Sequence, residues 1–246
     1  MINKKTNNIE EVTHLEGIAS DSWYALGANE KTIQHSYSIF SRFFRKGSAL
    51  EMGPAEGVMT KFLSERFEDL TLVDGADTFC RELTNRYPTA TVVHSLFESF
   101  NPGRKFDNII LGHVLEHVSD PVEILASAKK WLNRGGRILA AVPNSRSLHR
   151  QAAVLMGLLE TEDSMNEADR HHGHRRVYNP ESFRNDFRKA GLRIEIFGGY
   201  WLKPLSNRQI EETWSSEMLI SFMELGERYP DIAGEIYIVA TLPISE

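Results

Sequence analysis

The sequence predicts an α/β fold on a parallel sheet, and three observations carry that prediction. Short apolar runs of strand length recur at 49–52, 70–73, 91–94, 106–111 and 137–142. Helical stretches separate them at 58–67, 78–87 and 121–132. The first run ends in a turn of small residues, Gly53-Pro54-Ala55-Glu56-Gly57, as a strand feeding a helix does. Strand and helix in alternation imply parallel strands joined by right-handed crossovers.

The elements follow in order. Residues 1–20 are polar and are expected to be mobile or folded over a site. Residues 29–44 carry Ile33, Tyr37, Ile39, Phe40, Phe43 and Phe44 at helical spacing, which predicts an amphipathic helix ahead of the first strand. After the alternating core, residues 145–179 are too long for an ordinary connection and end in a histidine-rich stretch, so they read as a lid. Residues 180–190 read as a helix, with Asn179 as N-cap and Pro180 in its first turn. A strand at 192–197, a helix at 215–229 and an apolar strand at 235–242 close the chain. Without internal repeats or a low-complexity linker, 1–246 is expected to be one domain. Its parts are a helical cap (1–47), a cofactor-binding core (48–144), the lid insert (145–179) and the C-terminal part of the sheet (180–246).

Composition narrows the function. Hydrophobic content of 41% and charged content of 25% are ordinary for a globular chain, and a net charge of -6 gives no attraction to nucleic acid or anionic lipid. Cys80 is the only cysteine, which excludes an intramolecular disulfide. The first 16 residues lack the apolar core of a signal peptide, and no run approaches the roughly 20 apolar residues of a membrane span. The expectation is a cytoplasmic protein with neither nucleic-acid nor membrane partner.

The turn after the first run suggests a nucleotide-type cofactor. Small residues let backbone N–H groups approach a ligand, and Asp74, closing the second run about 20 positions on, offers a bidentate acceptor to ribose hydroxyls. A dinucleotide site needs G-x-G-x-x-G against a pyrophosphate. Here Gly53, Ala55 and Gly57 form G-x-A-x-G, with Glu51 just before, and an acid there suits a cationic ligand better. Turns of this kind also occur with no ligand.

Two later blocks make the pattern specific. Phe106-Asp107-Asn108-Ile109-Ile110-Leu111-Gly112-His113-Val114-Leu115-Glu116-His117-Val118 is followed by Trp131-Leu132-Asn133-Arg134-Gly135-Gly136-Arg137-Ile138. Together with the first turn, and in this order, they give residues 48–141 a close resemblance to class I S-adenosylmethionine-dependent methyltransferases, in the small-molecule, type 11/12-like group. The resemblance implies a Rossmann-like seven-stranded sheet, mostly parallel with an antiparallel last strand, helices on both faces and a helical lid. It implies S-adenosylmethionine as methyl donor and S-adenosylhomocysteine as product. Where the family has glycine this chain has Ala55, and where it often has an adenine-binding aspartate this chain has Ser95.

Site residues follow from that frame. Glu51, Gly53, Ala55, Gly57, Asp74 and Gly75 are expected at the cofactor, with Leu96 and Phe97 on the adenine face, Glu98 beside it, and the His113 carbonyl on the methionine ammonium. Phe97 reads equally as a core aromatic. Methyl transfer to oxygen gains from a base, and His117 is the first candidate, although it reads at least as readily as a histidine that caps a helix or supports a neighbouring site residue. His171 and His172 are further candidates for proton transfer. His174 and Arg175 in the stretch Gly173-His174-Arg175-Arg176-Val177-Tyr178 are expected beside the acceptor, with Arg175 and Arg176 able to hold a carboxylate or phosphate. The lid histidines lack regular metal spacing, so no metal is expected. Trp23, Tyr24, Tyr200 and Trp201 are expected to line an aromatic acceptor pocket, the last two at its entrance. The predicted activity is methylation of an oxygen or nitrogen of a small metabolite. The alternatives are a peptide or protein methyltransferase, or a silent S-adenosylmethionine-binding regulatory subunit. The sequence leaves monomer or homodimer open.

Overall fold

The structure, a computed structural model, describes residues 2–22 and 24–244. Helices α1 (Ile2–Ser20) and α2 (Gly27–Ser41) precede the sheet. The core alternates through β1 (Ala49–Met52), α3 (Val58–Arg66), β2 (Leu70–Asp74), α4 (Asp77–Arg86), β3 (Thr91–His94), β4 (Phe106–Gly112), α5 (Pro121–Trp131) and β5 (Leu132–Pro143). The insert carries α6 (Leu148–Leu155) and α7 (Glu167–His171). The chain then runs through α8 (Pro180–Lys189), β6 (Arg193–Tyr200), α9 (Asn207–Thr213), α10 (Ser216–Gly226) and β7 (Glu235–Thr241).

The seven strands form one sheet in the order β3-β2-β1-β4-β5-β7-β6, with β7 antiparallel to both neighbours. This is the mixed, Rossmann-like sheet that the resemblance implied. Successive side chains serve opposite faces. Leu50, Met52, Ile109 and Leu111 join one apolar cluster, against Ile124 and Leu125 of α5 and Phe183 and Phe187 of α8. Ala49, Leu70, Leu72 and Ile110 join the other, against Phe40 of α2, Leu63 of α3 and Leu83 of α4. With both faces covered, β1, β2 and β7 are buried along their whole length, which explains why they are mostly apolar, with the acids Glu51, Asp74 and Glu235 as buried exceptions. Strand order reverses between β1 and β4, and the carboxyl ends of that pair open the crevice where such sheets bind ligands.

Two local departures matter. Strand β5 starts at Leu132 instead of about 137, because Leu132 already pairs with Phe106 and a register shift absorbs Gly135, at φ +83°. Strand β6 continues through Gly198 and Gly199 to Tyr200, paired with β7. A Cβ on Gly199 would sit 2.8 Å from the Pro230 backbone, so these glycines permit close packing. Tyr200 and Trp201 are consequently buried and lie beneath the site, a correction to their expected place at a pocket entrance. Asn179 caps α8 through a reciprocal pair with Ser182, and Pro180 sits in the first turn.

Candidate active site

The turn after β1 is held in a left-handed conformation at Gly53 (φ +67°) and Ala55 (φ +47°). A Cβ on Gly53 would lie 2.9 Å from Val114 Cγ2, so the turn and the segment after β4 need glycine there. The end of β2 is tied to this turn. Asp74 Oδ2 accepts from the Ala55 N–H at 3.2 Å and Oδ1 from the Ala76 N–H at 2.9 Å. Glu51, buried beneath, accepts from the Thr60 hydroxyl at 2.7 Å.

These acids face a cavity with no Lys or Arg among the described residues lining it. Burial, only partly offset by the Thr60 hydroxyl, raises the Glu51 carboxyl to about 8; burial, against the Ala76 and Ala55 N–H groups, raises Asp74 to about 6. Two buried carboxyls without a cation favour a cationic ligand and disfavour a pyrophosphate. Glu51, Gly53, Ala55, Asp74, Gly75, Leu96, Phe97, Glu98 and His113 all line this cavity, and Leu15 and Ile18 of α1 reach it from outside. The polar N-terminal stretch is thus helical and folded over the site. Gly57 does not line the cavity; at φ +78° it is the N-cap of α3, packed beneath the turn against Leu83. Ser95 also lies elsewhere, its hydroxyl bonded to the Leu96 carbonyl.

A second cavity lies between α2, the segment after β4 and the insert, and it shares Tyr24, Ile33, His113 and His117 with the first. The Tyr24 hydroxyl donates to the His172 carbonyl at 3.0 Å, its ring stacks on His172 with centroids 5.0 Å apart, and its edge meets His117 at 6.1 Å. His113, at φ +58°, lies 3.6 Å from Glu116 and 3.7 Å from Glu235 through Nδ1. Burial works against its cation, but these carboxylates raise its pKa; burial likewise opposes ionised Glu116, which the surrounding imidazoles hold below its ordinary value. Burial takes His117 down to about 4, so it is neutral near pH 7.

With that geometry in view, residues 28–195 match the family described as Methyltransferase domain. The chain belongs to this methyltransferase family. A ubiquinone biosynthesis O-methyltransferase from Rhizobium etli is 27% identical over 129 residues, 51% of this chain, and the chain spans 48% of that relative's length. A possible histamine N-methyltransferase from Thermotoga maritima superposes with a TM-score of 0.61 at 16% identity, covering 90% of this chain and 93% of that one. The N-methyltransferase NodS from Bradyrhizobium japonicum, solved with S-adenosylhomocysteine, gives 0.55 at 13% identity, covering 88% and 87%. At such identities these solved structures show the shared fold.

The insert of this methyltransferase is held by its own charges. Arg150 donates to Asp169 at 3.1 Å and to the Glu162 carbonyl at 2.7 Å. Asp169 also accepts from the Asn166 N–H and faces His174 Nδ1 at 3.4 Å. The anion-holding role expected for Arg175 and Arg176 meets two filled forks. Arg175 pairs with Glu11 at 2.7 Å and donates to the Ser119 hydroxyl, while Arg176 donates to the Leu115, Val118 and Ser119 carbonyls. Arg175 ties the insert to α1 and to the segment after β4, and Arg176 ties it to that segment alone. His172 and His174 line the second cavity; His171 instead faces Asp21 at 3.9 Å. Trp201 lines that cavity from below and Tyr200 bonds to Ser36 at 2.6 Å. Trp23 lies outside the described residues.

Among the residues of the second cavity that escaped the sequence reading are Glu116, Glu235 and Lys203. Helix α5 starts only at Pro121, and the preceding turn directs Glu116 inward. Lys203, lowered to about 8 by burial, sits 4.5 Å over the Trp201 ring. Buried charge on this wall is the signal, and it emerges only once β7 is placed next to β5 and the insert next to the segment after β4.

Proposed function

We propose that this methyltransferase moves the methyl group of S-adenosylmethionine to an oxygen or nitrogen of a small molecule held in the second cavity. The observation that carries the reading is the junction of the two cavities at Tyr24, Ile33, His113 and His117. A donor with its sulfonium there and an acceptor on the other side meet in line. The carbon–acceptor bond forms as the sulfur–carbon bond breaks, its electron pair neutralising the sulfonium, and the acceptor proton leaves. Alignment accounts for much of such a rate, because the donor is already activated.

Roles follow from position. Glu51 faces the methionine ammonium, Asp74 takes the ribose hydroxyls, and Leu96 and Phe97 cover the adenine with Glu98 at its polar edge. Tyr24 and His172 close over the junction, and His117 contacts the reacting acceptor atom. As a neutral imidazole with a pKa of about 4, His117 is a weak general base for a hydroxyl and a good neutral acceptor or ligand. Incubation with methyl-labelled S-adenosylmethionine and panels of hydroxylated and amine metabolites tests the reading. Label transfer to one chemical class supports it; binding of the donor without transfer to any class points to the silent cofactor-binding alternative.

A further inference from the structure

Glu116, His117 and His174 bring one ligand atom each within 4.8 Å of one another. Two come from the segment after β4 and one from the insert, so the set depends on where the insert packs. Glu116 is 1% exposed, and neither carboxylate oxygen has a hydrogen-bond partner among the described residues; His113 Nδ1 stands 3.6 Å from Oε1. A carboxylate desolvated without a hydrogen bond is costly, which is the physical reason to look for a cation beside it. The His117 and His174 rings stand edge to face at 4.7 Å. Asp169 faces the Nδ1 side of His174, and Arg150 and Asn166 fix Asp169 in turn. A carboxylate behind an imidazole orients the other nitrogen of the ring toward a metal and increases its basicity.

We propose that Glu116, His117 and His174 bind a divalent transition-metal ion of the Zn2+ class, whose open position faces the acceptor cavity. Two imidazoles and one carboxylate suit Zn2+, and three protein ligands leave room for one more. For the acceptor this rests on the functional reading above, because Glu116, His117 and His174 all line the second cavity and His117 also lines the first. An acceptor hydroxyl coordinated there ionises at lower pH, gives its proton to solvent, and attacks the sulfonium methyl as oxygen. The ion thereby selects an oxygen acceptor, and His117 serves as a ligand, with no proton transfer through its ring.

Equilibrium dialysis of the full chain against Zn2+, with metal content measured, and Co2+ absorption as a second readout, tests the site. The wild type is expected to hold about one ion per chain. Glu116→Gln and His174→Ala are each expected to weaken binding at least about tenfold, and His171→Ala to leave it unchanged. Thermal melting identifies a variant that fails to fold, and the other variant then carries the comparison. No binding by the wild type, or unchanged binding in a folded Glu116→Gln or His174→Ala, overturns the site. Calorimetry with S-adenosylhomocysteine on the same protein separates the two readings: cofactor binding without metal binding removes only the ion, and metal binding without cofactor binding removes only the methyl-donor assignment.

Discussion

Asp74 Oδ2 accepts the Ala55 N–H at 3.2 Å, so one carboxylate joins the end of β2 to the turn after β1. The same group that would hold the ribose also shapes the turn beside it. Asp74→Ala is therefore expected to weaken S-adenosylhomocysteine binding about 10- to 100-fold, since hydrogen bonds to a charged group contribute about 1.5–3 kcal/mol. Calorimetric titration measures this, and unchanged affinity would remove the ribose assignment.

Glu51 makes cofactor affinity pH-dependent. Burial raises its carboxyl to about 8 in the empty protein, whereas the ionised form attracts an ammonium. Affinity for S-adenosylmethionine should rise from pH 6 to pH 8 and level off above, with proton release on binding near pH 7. Titrations in buffers of different ionisation enthalpy read that proton directly.

The same shift has a stability consequence of fixed sign. A carboxyl whose folded pKa lies above its unfolded value of 4.5 favours the fold at low pH, and that contribution is lost as pH rises from 4.5 through 8. Glu51→Gln should raise the melting temperature of the cofactor-free protein at pH 8.5 and make it less dependent on pH, while weakening donor binding. A lower melting temperature there would contradict the burial argument.

The turn discriminates between two small residues. Gly53→Ala places a Cβ 2.9 Å from Val114 at a positive φ and should cost stability on the order of 1–2 kcal/mol, with loss of donor affinity. Ala55→Gly relieves left-handed strain but loosens the unfolded chain, so stability should change by about 1 kcal/mol or less, with affinity retained. Melting curves and titrations of the two variants give the contrast.

The Tyr24–His172 contact is testable through kinetics. Tyr24→Phe removes the bond to the His172 carbonyl, worth about 1 kcal/mol, and should raise KM several-fold with a smaller fall in kcat. The Glu11–Arg175 pair is about one-third exposed on each side, so Glu11→Gln should change stability by less than about 1 kcal/mol.

The sheet was legible because strand runs, turn residues and the paired motifs all point to one architecture, and the cofactor residues lie at strand ends where sequence order sets position. Gly57 shows the limit there: its place in the motif suited a ligand, but its φ serves the α3 cap. The acceptor side was less legible because it is assembled from distant segments. Glu116 turns inward only because α5 starts late, and Glu235 reaches the cavity from the antiparallel last strand. Arg175 and Arg176 looked free in sequence, and their partners on α1 and after β4 became visible only in three dimensions.

The central claim is that the cavity beneath α1 holds a cationic methyl donor. Calorimetric titration of the wild-type chain with S-adenosylmethionine and S-adenosylhomocysteine, beside NAD as the pyrophosphate-bearing control, tests it most directly. Saturable one-to-one binding of both S-adenosyl ligands and none of NAD is expected. Failure of both S-adenosyl ligands to bind, or tighter binding of NAD, would contradict it.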